Sequence, residues 1–149
     1  MYTIQQITDN SYPDIQKLFL LSFGLQYSLD FIKLKYDTKR FGLNNIGIIA
    51  KSENNELAAY YGVFPLTLNY EANDYLIAQS GDTMTAPNHR KKGLFTKLAK
   101  ETYTLAERSG IELVFGFPNE NSYPGFKRKL NWEFHGFMQQ FSFKVVTPP

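Results

Sequence analysis

The stretch whose residue types and order could do chemistry runs Thr83-Met84-Thr85-Ala86-Pro87-Asn88-His89-Arg90-Lys91-Lys92-Gly93-Leu94-Phe95. A long strand pattern ends at Pro87, a basic run with one glycine follows, and an amphipathic helical pattern begins at once. The first turn of a helix carries N–H groups without internal partners, and its dipole favours negative charge. Gly93 lets a ligand approach the backbone, while Arg90, Lys91 and Lys92 surround it with positive charge. The result is an anion site whose geometry suits a pyrophosphate. A basic tetrad alone reads as a solvated loop; its place between strand and helix reverses that preference. Neither G-x-x-x-x-G-K-[ST] nor G-x-G-x-x-G occurs in the chain, so the P-loop and dinucleotide fingerprints are missing.

Composition sets the frame for that turn. A chain of 149 residues favours one domain, residues 1–149, and 43% hydrophobic content supports a core. Thirteen Phe and ten Tyr fill that core and also suggest a partly wet cleft. A formal net charge of only +2 speaks against nucleic-acid binding by the chain as a whole. The absence of cysteine excludes disulfides, thiolate metal sites and a cysteine acyl-enzyme. Two histidines without a matching acidic cluster leave no expected metal site. With no signal-peptide pattern and no apolar run near the roughly 20 residues that span a bilayer, a cytoplasmic protein without membrane contact is expected. The ending Thr147-Pro148-Pro149 resembles the start of a linker, as in a chain that continues.

The elements that would position the turn follow from periodicity. Tyr2–Ile7 reads as a strand, and Ser11-Tyr12-Pro13-Asp14 starts a helix that Gly24 stops. Ser28–Tyr36 reads as a second helix and 37–45 as loop. Strands are expected over Ile46–Ala50, Leu57–Phe64 with Leu66–Tyr70 beyond Pro65, and Tyr75–Thr85. Leu94, Phe95, Leu98, Ala99, Thr102, Leu105 and Ala106 share one helix face. Ile111–Phe117 is expected as a buried strand, a short helix within 118–129, and closing strands over Phe134–Val146. The order β-α-α-β-β-β-α-β-α-β predicts an α/β (α+β) fold with a mixed, mostly antiparallel central sheet and helices on both faces.

Arg90-Lys91-Lys92-Gly93-Leu94 resembles the R/Q-x-x-G-x-G/A signature of GNAT N-acetyltransferases, and the element order resembles that family over nearly the whole chain. The resemblance implies the GNAT fold and acetyl-CoA as co-substrate. The N–H groups of Arg90, Lys91, Lys92, Gly93, Leu94 and Phe95 would take the pyrophosphate. The pantetheine arm would pair along Thr83, Met84 and Thr85, and an N–H near Met84 would polarise the thioester carbonyl. Phe95 stands where the family has Gly or Ala, which implies a shifted contact.

Phe117-Pro118-Asn119-Glu120-Asn121-Ser122-Tyr123 resembles the family's closing segment. There the usual tyrosine acid falls on Lys127, and Tyr123, four residues earlier, could protonate the leaving thiolate or could pack its helix. Asn119 and Asn121 would cap that helix or touch pantetheine. Asp82 and Glu120 are the candidate bases, Asp82 because an acid on a central strand needs a purpose or a partner. A structural ion pair is the competing role for Asp82, and ordered water the competing base. His135 reads as a strand residue and His89 as part of the anion loop.

The function implied is N-acetyl transfer to a small-molecule amine, in a ternary complex. An amino sugar, as in members encoded with bacterial surface-polysaccharide genes, is favoured. A non-catalytic acyl-CoA-binding or regulatory module on the same fold is the rival. A homodimer through the closing strands is also within the family's range.

Overall fold

The longest pairing grows from a two-residue turn. Glu71 and Ala72 both take positive φ, 50° and 61°, which matches the twist of the flanking strands. In the computed structural model, which describes residues 1–139, 141 and 142, this turn joins β3 (Leu57–Tyr70) to β4 (Asn73–Thr85). Pro65 lies inside β3 rather than bending it. Its partner Ala78 is a non-hydrogen-bonded position of the hairpin, so its nitrogen faces the other edge, beyond the last β2 pair at Gly62.

The remaining strands build outward. β1 (Thr3–Gln6) pairs antiparallel with β2 (Gly47–Lys51), β2 with β3 and β3 with β4, while β5 (Leu113–Phe115) lies parallel to β4. The five strands run in chain order. α1 (Tyr12–Phe23) and α2 (Leu29–Tyr36) join the core face that carries Ile49, Tyr60 and Met84. α3 (Leu94–Arg108) covers the opposite face, where Thr102 Oγ1 donates to the Tyr61 carbonyl at 3.1 Å. The expected mixed sheet with helices on both faces is the observed one.

Local chemistry explains the boundaries. Ser28 caps α2 through the Phe31 N–H, and Gly24 ends α1 in the left-handed region. The Ser11 hydroxyl does not cap α1; it takes the Thr8 N–H in the single 3-10 turn before it. The chain divides into two compact units, Met1–Gly116 and Phe117–Pro149. The second holds α4 (Tyr123–Lys129).

Two expectations are corrected. The strand expected over Ile111–Phe117 shrinks to three residues paired with β4, and Leu113 is half exposed rather than buried. Residues 134–139, 141 and 142 carry no strand; the rest of the expected closing strands lies outside the described residues. His135 is therefore no strand residue: it is exposed, 3.7 Å from Glu133. No helix among the described residues is long and apolar enough to cross a membrane.

Tyr60 needs two glycines. A Cβ on Gly47 would stand 2.8 Å from the Tyr60 ring, and one on Gly62 would overlap its phenol. Gly62→Ala is expected to cost about 1–3 kcal/mol by overpacking, read as a lower denaturation midpoint. An unchanged midpoint would mean that the ring moves freely.

Candidate active site

The β3–β4 pairing carries one defect, and it lies where the chemistry was expected. Tyr60 pairs with Met84 but Gly62 with Gly81, so Tyr61 alone faces Asp82 and Thr83. The extra residue is a β-bulge, with Asp82 in the left-handed region at φ 54°. A non-glycine residue there costs free energy that the surrounding structure must offset.

The bulge turns Asp82 toward α2. Its Oδ2 lies 3.1 Å from Lys35 Nζ and accepts the Tyr36 hydroxyl at 3.2 Å. Burial raises the carboxyl above its ordinary value, and the Lys35 ammonium and the Tyr36 hydrogen bond oppose that rise. Tyr36 and Tyr60 sit edge to face at 5.7 Å, and burial pushes both phenols well up, so they remain neutral. A partly buried carboxylate held by one cation and one phenol is a competent proton acceptor. Spacing in the sequence could not find Lys35 and Tyr36, since only tertiary packing brings them to Asp82.

Among the described residues the same strand leaves part of one edge without a strand partner. β4 pairs with β5 only from Ile77 to Gln79, yet it continues to Thr85. The Ala86 N–H bonds to the Ala58 carbonyl, so Ala59/Thr85 is a non-hydrogen-bonded pair. Met84 therefore spends its N–H on Tyr60, and the Thr85 N–H faces the open edge. An extended amide-bearing chain could pair there as an added strand.

The basic turn before α3 follows directly. Pro87–His89 form a single 3-10 turn, after which Lys91 (φ 61°) and Gly93 (φ 75°) are both left-handed. Gly93 is the N-cap of α3, and a Cβ there would meet nothing within 4 Å, so the turn is open to a ligand. Lys91 and Lys92 are exposed beside it. Arg90 is tied back: its N–H reaches the Pro87 carbonyl at 3.3 Å and its Nε the Thr85 carbonyl at 3.3 Å. His89 Nδ1 is 2.8 Å from the Tyr2 hydroxyl, which anchors the turn to the start of the chain. Leu94 is buried, and Phe95 points inward, edge-on to Tyr61 at 5.9 Å. Curled backbone, helix N-terminus and cations together fit a pyrophosphate.

A family model for the acetyltransferase (GNAT) domain matches residues 3–135. The chain belongs to the GNAT acetyltransferase family. As a GNAT acetyltransferase it shares its fold with solved structures at low identity. A Trypanosoma brucei acetyltransferase superposes with a TM-score of 0.75 at 14% identity, covering 96% of this chain and 100% of that one. Glucosamine-6-phosphate N-acetyltransferase from Arabidopsis thaliana gives 0.72 at 12%, covering 97% and 99%. An aminoglycoside acetyltransferase from an uncultured soil metagenomic sample, in complex with sisomicin, gives 0.71 at 17%, covering 97% of each chain. No curated protein sequence matches the chain.

In this GNAT chain the other expected residues fall in the second unit. Asn119 Oδ1 accepts the N–H groups of Asn121 and Ser122, at 3.1 and 3.0 Å, so it shapes the turn into α4. Asn121 and Glu120 are exposed. Tyr123 opens α4, edge-on to Phe134 at 5.6 Å, with Lys127 Nζ 5.7 Å from its ring centroid. Among the described residues there is no group of histidine and acid side chains that could hold a metal ion.

Proposed function

We propose that this acetyltransferase moves acetyl from acetyl-CoA to a primary amine of a small molecule, an amino sugar above others, in one ternary complex. The observation that carries the reading is the open edge of β4 running into the cationic turn before α3. That edge would take the pantetheine amides, and the Lys91, Lys92 and Gly93 turn the pyrophosphate. Similar folds that act on glucosamine 6-phosphate and on aminoglycosides support a small amine as acceptor.

The acceptor amine gives its proton to Asp82 and attacks the thioester carbonyl. An edge N–H of β4 faces the developing oxyanion, the C–S bond breaks, and Tyr123 gives the leaving thiolate its proton. Holding both substrates in one cleft supplies much of the rate. The 149 residues act as one acetyltransferase domain, in keeping with a family match that spans 3–135.

The test combines calorimetry with acetyl-CoA and a turnover screen over glucosamine, a nucleotide-linked amino sugar, an aminoglycoside and spermidine. Thiol release together with an acetylated amine of the right mass supports the reading. Tight acetyl-CoA binding without turnover of any amine marks a non-catalytic acyl-CoA module. No binding of acetyl-CoA at all would remove the reading.

A further inference from the structure

The loop between α2 and β2 builds a second feature beside Asp82. An open depression of about 640 Å³ is lined by Lys35, Lys39, Arg40, Phe41, Phe64 and Leu66 among others. Two of its walls touch the bulge. Lys35 is the partner of Asp82, and the Phe64 ring lies against Gly81, where a Cβ would stand 2.9 Å from Phe64 Cε2.

The charges around this depression are not equally spent. Lys35 is committed to Asp82, with its ammonium 5.5 Å from the Phe64 centroid. Asp37, the one acid of the lining, accepts the Lys39 backbone N–H, and the Asp9 carboxyl is lowered by the Asn45 hydrogen bond first and by the Lys39 charge to a lesser degree. Arg40 is different. Its guanidinium lies 4.8 Å from the Phe41 ring centroid, and among the described residues no carboxylate comes within ion-pair distance of it. A stacked guanidinium keeps its in-plane N–H fork for a ligand, and that fork matches phosphate or carboxylate oxygens. Thus the lining holds Lys35, the partner of Asp82, together with the unspent cation of Arg40 and the apolar surface of Phe64 and Leu66.

We propose that the depression receives an anionic group, phosphate or carboxylate, carried by the acceptor amine itself. Arg40, assisted by Lys39, binds that group, Phe64 and Leu66 support the acceptor's apolar face, and the amine is left at Asp82. The inference rests on the acetyltransferase reading for the identity of the acceptor.

The experiment is calorimetric titration into the chain held at saturating CoA, so that the anion turn before α3 is already filled. Two matched pairs are compared: glucosamine 6-phosphate with glucosamine, and phenylalanine with phenylalaninamide. At least one anionic member is expected to bind about tenfold or more tighter than its neutral partner, in line with a charge-assisted bidentate contact. In a Lys39→Gln/Arg40→Gln variant, both sites being exposed, that preference should shrink to within about twofold. Equal binding within both pairs, no binding by any of the four, or a preference that survives the double substitution would each overturn the proposal. A chain that loads CoA yet shows no anion preference keeps the acetyltransferase reading and loses only this one. A chain that refuses CoA loses that reading, and the same pairs titrated with and without the double substitution still decide the anion preference.

Discussion

Gly93→Asp is expected to weaken acetyl-CoA and CoA at least about 100-fold, roughly 2.7 kcal/mol, while the chain stays folded. Backbone and charge act separately at this position. Gly93 sits at φ 75° with open space where a side chain would go, so nothing is struck by a substituent. Left-handed backbone disfavours most side chains, but Asp and Asn tolerate it better than others, at a cost of about 1 kcal/mol or less. What Asp adds is a negative charge at the positive end of α3, where the ligand must place its own. Gly93→Asn carries the same backbone cost without the charge, so it should bind within about tenfold of the original chain. Calorimetry on the three proteins decides. If the Asp variant binds CoA like the Gly parent, the pyrophosphate is not held at this turn.

Asp82→Asn is expected to lower kcat/KM by about 10²–10⁴ with acetyl-CoA affinity unchanged, the range for removing a general base. Asn tolerates the left-handed bulge position and can still accept the Tyr36 hydroxyl, so charge and basicity are what change. The folded-state pKa of Asp82 is raised from 3.8, with burial as the first cause. A raised acid contributes stability below its unfolded pKa and loses it as pH rises through the folded one. At neutral pH the ionised carboxylate therefore adds nothing to stability through its own titration, and the Asn variant should melt no earlier than the parent. For activity the sign runs the other way: the base works only when ionised, so the acidic limb of kcat/KM lies above the ordinary carboxylate range.

The groups facing Asp82 are Lys35 and Tyr36 from α2 and Tyr60 from β3. Lys35→Met removes the one cation among them, so the acidic limb should move further up in pH. A limb that stays in place, or Asp82→Asn activity within threefold of the parent, would return Asp82 to a purely structural ion pair.

How much of this was legible beforehand depends on sequence separation. The α3 turn was readable because everything it needs is local: proline, basic run, glycine and apolar stripe lie within one strand–turn–helix segment. Helix ends at Gly24 and Ser28 were readable for the same reason, since capping is a contact across three or four residues. The extent of β5 was not, because an apolar run such as Ile111–Phe117 says that a strand can form but not how far its neighbour pairs with it.

The sequence by itself determined the fold class, the family and the basic strand–turn–helix segment before α3, since these rest on periodicity and on short-range spacing. Tertiary structure alone decided that Asp82 bulges out of β4 toward Lys35 and Tyr36, that β5 pairs with β4 only as far as Gln79, and that Phe95 turns inward to Tyr61. Each of these depends on register between strands or on helix–sheet packing. Register is set by the sum of many weak pairings across the sheet, and no single residue carries it.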